Sequence, residues 1–177
     1  MIVHGRDQDP GYMVAHLVAR LDVPGVAYVL PAAPGRSWYP GRYRDPRDAN
    51  EPQLGAALAS CTEAIASTGL PPERIVLAGF SQGGCLIADL VARSPAPYRG
   101  VALLTGALPA GTEPRPAPGL PVRMVSSRFD GWVAIADVEA TARAFRAAGA
   151  DVRLEVTADR EHVIAPAAVA AVRALLT

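Results

Sequence analysis

The sequence predicts an α/β fold: a mainly parallel sheet of about six strands with helices on both faces. Three observations predict it. Short apolar runs of strand length alternate with longer segments of helical periodicity, in repeated strand-then-helix order. Glycine and proline, 16 and 17 residues, cluster between those segments where the chain must turn. At 177 residues, 50% of them hydrophobic, the chain is long enough for one domain with a proper core, residues 1–177, and short for two.

The elements follow in order. Ile2–Val3 reads as the end of a strand. Asp9 and Pro10 suit a helix start, and Met13, Val14, Leu17, Val18 and Leu21 continue it at helical spacing. Val26–Leu30 reads as a buried strand. Residues 31–52 form a long loop rich in proline, glycine and arginine that contains Trp38, Tyr39 and Tyr43. Leu54, Leu58, Cys61 and Ile65 mark the next helix. Arg74–Ala78 reads as a strand and Gly79–Gly84 as a tight turn. A helix from 82 to about 93 is closed by Pro95 and Pro97. Val101–Leu104 and Val122–Ser126 read as strands, separated by a second proline-rich loop at 109–121. Ile135, Val138, Ala142 and Phe145 give a helix closed by Gly149. Val152, Leu154 and Val156 alternate as in a half-buried edge strand, and 166–176 form the last helix. No internal repeat is visible.

The charge balance excludes several functions. All 17 basic residues are arginine, and 17 acidic residues bring the formal net charge to zero. Chemistry that needs a lysine ammonium, such as a pyridoxal Schiff base or a Walker-type phosphate loop, is excluded. Scattered arginines on a neutral chain make a poor platform for nucleic acid. Cys61 and Cys85 fit neither a disulfide scaffold nor a four-ligand zinc site, so no metal and no cofactor are expected. No secretory signal is evident, and no apolar run approaches the roughly 18 residues that span a membrane. The expectation is a cytoplasmic protein without membrane insertion.

In a parallel α/β sheet, ligands bind beyond the carboxyl ends of the strands. Gly79-Phe80-Ser81-Gln82-Gly83 is a G-x-S-x-G motif that follows a strand and opens a helix. So sharp a turn lifts the serine hydroxyl above the sheet at a helix N-terminus. There the Gln82 N–H and the helix end can stabilise a developing oxyanion. A serine needs a base, and three histidines exist. His162 follows the last strand, on the edge where a base facing Ser81 belongs. His16 lies inside the first helix, and the His4 ring is expected to brace a loop. An acid must hold the base's tautomer. Asp130 follows the strand ending at Ser126; Asp137 lies in a helix, Asp151 begins a strand, and Asp159 is too near His162 in sequence. The order Ser81, Asp130, His162 is that of an α/β-hydrolase triad.

With these residues in place, the sequence resembles the phospholipase/carboxylesterase family of α/β-hydrolases, which includes bacterial carboxylesterases and acyl-protein thioesterases. The matching pieces are His4-Gly5-Arg6, Gly79-Phe80-Ser81-Gln82-Gly83-Gly84, Leu104-Thr105-Gly106-Ala107-Leu108, Asp130 before Gly131-Trp132-Val133, and His162-Val163-Ile164. The resemblance implies an α/β-hydrolase fold and a second oxyanion donor at the Arg6 N–H, joining that of Gln82. It implies cleavage of carboxylic esters through an acyl-enzyme, with an acyl-thioesterase or lysophospholipase as the alternative. Departures from the family pattern are a missing N-terminal hairpin, Asp7 and Glu161 where glycines are usual, and Gly131 and Ala134 in place of prolines of the acid loop. These motivate a third reading, a hydrolase-fold binding module with little turnover. An uncovered sheet edge at the N-terminus would favour a homodimer, and a loop that covers the edge would serve as well.

The expected partner is a small-molecule ester or thioester. Trp38, Tyr39 and Trp132 are the expected pocket walls. Arg36, Arg42, Arg44 and Arg47 crowd one loop, where they either attract an anionic substrate or form a solvated basic surface. Cys85, one helical turn after Ser81, is read as packing.

Overall fold

The computed structural model describes residues 1–177. Five parallel strands form one sheet in the order β1 (Ile2–Val3), β2 (Val76–Phe80), β3 (Gly100–Leu104), β4 (Pro121–Ser127), β5 (Asp151–Thr157). β1 and β5 are its edges. The register pairs Phe80 with Leu104 and Leu104 with Val125, so the central strands end on nearly one line. Ser81, Asp130 and His162 all lie past that carboxyl edge.

Alternation along the strands divides the core into two layers. Leu77, Val101, Leu103, Val122 and Met124 face one side, where α3 (Gln53–Ala66), α4 (Gln82–Ala92) and α5 (Ile135–Ala147) cover them. Val76, Ala78, Phe80, Ala102, Leu104 and Val125 face the other, under the N-terminal helical segment and α6 (Pro166–Leu176). The N-terminal segment begins as α1 (Pro10–Met13), passes a π-helical turn at Val14–Val18, and ends as α2 (Ala19–Leu21). Asp9 caps it: its carboxylate accepts from the Tyr12 N–H at 3.0 Å, and Pro10 occupies the position where a missing N–H costs nothing. Every residue of α4 is buried, including Gln82 and Asp89, whose side chains find hydrogen-bond partners there.

Two expectations are corrected. Val26–Leu30 is not a strand, so the sheet has five strands rather than about six. The segment touches β1 through one backbone hydrogen bond, Ile2 N–H to Val29 C=O at 2.9 Å, and β1 is too short to offer a ladder. Its residues are half-buried or exposed, not core. The strand read over Arg74–Ala78 also lies later in the chain, at Val76–Phe80. β2 ends at Phe80, so Gly79 belongs to the strand and the turn is confined to Ser81.

The two proline-rich loops are anchored to α4 by Asp89. This carboxylate has no exposed surface. It accepts from Arg47 Nη1 at 2.7 Å, Arg93 Nε at 2.7 Å and Thr112 Oγ1 at 3.1 Å. Three donors satisfy a charge that burial alone would make costly. At the far edge, β5 turns Asp151, Arg153 and Glu155 to solvent, which discourages pairing with another strand. No helix is long and apolar enough to cross a membrane.

Candidate active site

Ser81 sits alone in the turn between β2 and α4, at φ 55° and ψ −121°. That left-handed region is unfavourable for a side chain, and the surroundings hold it there. Its N–H still pairs with Leu104 C=O at 2.9 Å, continuing the sheet, while its C=O accepts from the Cys85 N–H at 3.0 Å, starting the helix. Strand and helix therefore meet with no spacer. This needs glycine on both sides. A Cβ on Gly79 would collide with the Gly83 carbonyl, and one on Gly83 with the carbonyls of Val3 and His4.

Two further loops bring their side chains to Ser81. The Ser81 hydroxyl lies 2.8 Å from His162 Nε2, and His162 Nδ1 lies 2.6 Å from Asp130 Oδ2. The other Asp130 oxygen accepts from the Trp132 and Val133 N–H groups at 2.9 and 2.8 Å. Its side chain is 2% exposed. Burial pushes the Asp130 carboxyl up, but the bonds from His162, Val133 and Trp132 outweigh it and hold the group below the usual carboxylate value. A carboxylate on Nδ1 directs that proton outward and leaves Nε2 as an acceptor for the serine hydroxyl. The Phe80 ring backs the imidazole at 4.9 Å between centroids. The histidine loop is tied to the acid loop by Ser127, whose hydroxyl donates to the Asp159 carbonyl.

Two backbone N–H groups remain unengaged beside Ser81. In the loop after β1, the Gly5 N–H donates to Gln8 Oε1 at 2.9 Å and the Asp7 N–H to the Arg36 carbonyl at 2.8 Å; the Arg6 N–H has no partner. The Gln82 N–H opens α4 and has no intrahelical acceptor. Both residues line one cavity of about 660 Å³ with Ser81 and His162.

Sequence reasoning missed what the side chains of Gln82 and Arg6 do, while the His4 ring braces a loop as expected. Gln82 Oε1 accepts from the Trp38 N–H at 3.0 Å, and its Nε2 donates to the Tyr39 carbonyl at 2.8 Å, so one residue joins the elbow to the long loop. Arg6 spreads its guanidinium over the carbonyls of Tyr39, Pro40 and Gly41. The His4 ring accepts at Nε2 from the Ala33 N–H at 3.1 Å and therefore donates from Nδ1 to Gly5 C=O at 2.7 Å. Burial lowers its pKa, consistent with a neutral ring bracing the loop. An amide, a guanidinium and an imidazole near a motif are the only hints the sequence holds; their partners are chiefly backbone N–H and C=O groups, which carry no sequence signal.

Trp38 is corrected from its place as a pocket wall. It is 3% exposed and absent from the cavity lining; its indole N–H donates to His4 C=O at 2.8 Å. Tyr39 lines the cavity from within the core, and burial raises its hydroxyl well above the usual value. Trp132 lines it from outside, 67% exposed. Cys85 is buried, and burial pushes its thiol up to about 12, so it is not a second nucleophile at neutral pH. Among the loop arginines, Arg36 pairs with Asp9, Arg44 with Asp137, and Arg47 with Asp89 and Glu51. No group of three or more His, Cys, Asp or Glu side chains converges as a metal site.

Comparison with known proteins adds to this geometry. The family model described as phospholipase/carboxylesterase matches residues 17–177. A phospholipase/carboxylesterase from Dyadobacter fermentans superposes with a TM-score of 0.84 at 27% identity, over 99% of this chain and 88% of that one. Esterase PE8 gives 0.82 at 25% identity, over 99% and 89%. A carboxylesterase from Mesorhizobium loti shares the fold, with a TM-score of 0.77 at 22% identity over 99% and 86%.

Proposed function

The chain belongs to the phospholipase/carboxylesterase family of α/β-hydrolases, and from that premise we propose that it is a serine esterase acting on carboxylic esters through Ser81, His162 and Asp130. The observation that carries the reading is the continuous line of hydrogen bonds from Ser81 Oγ to His162 Nε2 and from His162 Nδ1 to Asp130 Oδ2.

The reaction has two halves. The Ser81 hydroxyl attacks the ester carbonyl carbon while His162 Nε2 takes its proton. The carbonyl oxygen becomes an oxyanion facing the N–H groups of Arg6 and Gln82, each contributing about 3 kcal/mol at this stage. Collapse of the tetrahedral species breaks the bond to the alkoxy group, which leaves with the proton from His162. Water, deprotonated by His162, then attacks the acyl-serine and returns a carboxylic acid and free Ser81. Asp130 keeps its charge throughout and stabilises the imidazolium. Nothing in this sequence of steps needs lysine, metal or cofactor.

A fluorophosphonate probe tests the nucleophile. It should label the wild-type protein and not Ser81→Ala; equal labelling of the two would overturn the proposal, and a wild type that resists labelling would favour the binding module. A panel of p-nitrophenyl esters and acyl thioesters of increasing chain length separates an esterase from a thioesterase. The rate should fall on acidification because a protonated imidazole cannot accept the serine proton; a rate unaffected by acidification would count against His162 as the base.

A further inference from the structure

The basic loop contains one arginine that the fold does not use. Arg36, Arg44 and Arg47 are committed to carboxylates. Arg42 is not. Six guanidinium groups lack a hydrogen-bond, ion-pair or aromatic partner, those of Arg42, Arg74, Arg115, Arg128, Arg143 and Arg153; of these, Arg42 alone lines the cavity that holds Ser81 and His162. Its backbone is fixed even though its side chain is free. The Arg42 N–H donates to Asp45 Oδ2 at 2.6 Å, its C=O accepts from Asn50 Nδ2 at 3.0 Å, and the Gly41 N–H before it donates to Asn50 Oδ1 at 2.7 Å. Asn50 is itself 3% exposed, so this turn is anchored in the protein interior.

The cavity is therefore chemically divided. Trp132 and Val133 give it an apolar wall next to His162. The opposite character comes from Arg6, Asp7 and Arg42. Arg6 spends its donors on carbonyl oxygens, which leaves its charge uncompensated, and Asp7 supplies the one carboxylate among the three. Among the lining side chains two positive groups face one negative, since the Asp45 carboxylate held on the Arg42 N–H does not line the cavity, and a planar guanidinium with free donors matches a carboxylate in a paired geometry.

We propose that the preferred substrates are esters that themselves carry a carboxylate, and that Arg42 is the residue that selects them. The inference rests on the serine-esterase reading above. Arg42 binds the remote carboxylate and not the reacting carbonyl, so it acts on substrate choice rather than on the chemical step. Because the pairing is exposed to solvent, it should weaken as salt is raised.

The test compares p-nitrophenyl hemiesters of succinic, glutaric and adipic acid with the neutral p-nitrophenyl butyrate, and 4-carboxyphenyl butyrate with phenyl butyrate. The first set places the carboxylate on the acyl side, the second on the alcohol side. In at least one set the wild-type preference, as a ratio of kcat/KM for the anionic over the neutral ester, should fall about 5- to 10-fold in Arg42→Gln. Arg42→Lys should recover part of it. Arg115→Gln, an unpartnered arginine away from the cavity, should leave the ratio unchanged. A ratio unaltered by Arg42→Gln in both sets overturns the inference while leaving the esterase reading intact. If the wild type cleaves no ester, the esterase reading falls instead. The inference is then decided by calorimetric binding of glutaryl-p-nitroanilide against butyryl-p-nitroanilide: preference for the glutaryl compound, weakened in Arg42→Gln, supports it, and equal binding overturns it.

Discussion

The serine elbow and the two loops that carry the acid and the base reach the same point by opposite means. The elbow is placed by backbone. Ser81 continues the sheet through its N–H and starts the helix through its C=O, and Gly79 and Gly83 allow contacts that no side chain could occupy. The loops after β4 and β5 are placed by side chains: Asp130 grips Trp132, Val133 and His162, and Ser127 holds Asp159. They are also open to solvent, with Phe129 49%, Trp132 67% and Val163 42% exposed. The difference teaches where each region is vulnerable. The elbow tolerates no added atom, whereas the loops tolerate surface change and fail when one polar group is altered.

Four variants test that contrast, in order of expected effect. Asp130→Asn keeps the volume but allows the wrong imidazole tautomer, and kcat should drop about 10⁴-fold in a p-nitrophenyl ester assay. The same variant has a pH signature. The folded-state pKa of Asp130 is depressed, so its stabilising contribution is present above the ordinary carboxyl value and is lost as pH falls through the lower folded value. The difference in Tm between wild type and Asp130→Asn should therefore shrink on acidification; a constant difference would show that Asp130 contributes no charge-dependent stability.

Next comes Gly83→Ala, whose Cβ meets only backbone carbonyls that cannot step aside. A loss of about 3 kcal/mol in urea unfolding is expected, and a loss below about 0.5 kcal/mol would show that the elbow can yield. Ser81→Gly removes activity but relieves the left-handed strain, so it should gain about 1 kcal/mol over Ser81→Ala in the same measurement. The smallest effect belongs to Trp132→Ala. A side chain so exposed contributes little to stability, within about 0.5 kcal/mol, while KM for hydrophobic esters should rise a few-fold.

The same contrast governs how much the sequence reveals. Helices α3, α5 and α6 and strand β5 follow from periodicity because each buries a face of regular spacing, while α4 and β3, buried all round, follow from their continuous apolar runs. The side chains that meet at Ser81 were each nominated by position after a strand, a rule that depends only on parallel topology. Val26–Leu30 misleads because an apolar run is the mark of a strand but not of a ladder, and β1 offers it a single bond. Trp38 misleads for another reason. An aromatic ring in a loop reads equally as wall or anchor, and the outcome rests on acceptors at His4 and Gln82, far away in sequence. Tertiary hydrogen bonds to backbone atoms leave no periodic trace.

Asp89 carries a consequence for how this chain can change over generations. Its carboxylate joins Arg47, Arg93 and Thr112 from three separate segments. Stripping such a buried carboxylate of its arginine partners leaves an uncompensated charge, yet replacing the whole group with apolar side chains is often neutral. A single step away from this arrangement is disfavoured while the concerted step is open. Asp89 and the arginines at positions 47 and 93 are therefore expected to change as a set rather than one at a time.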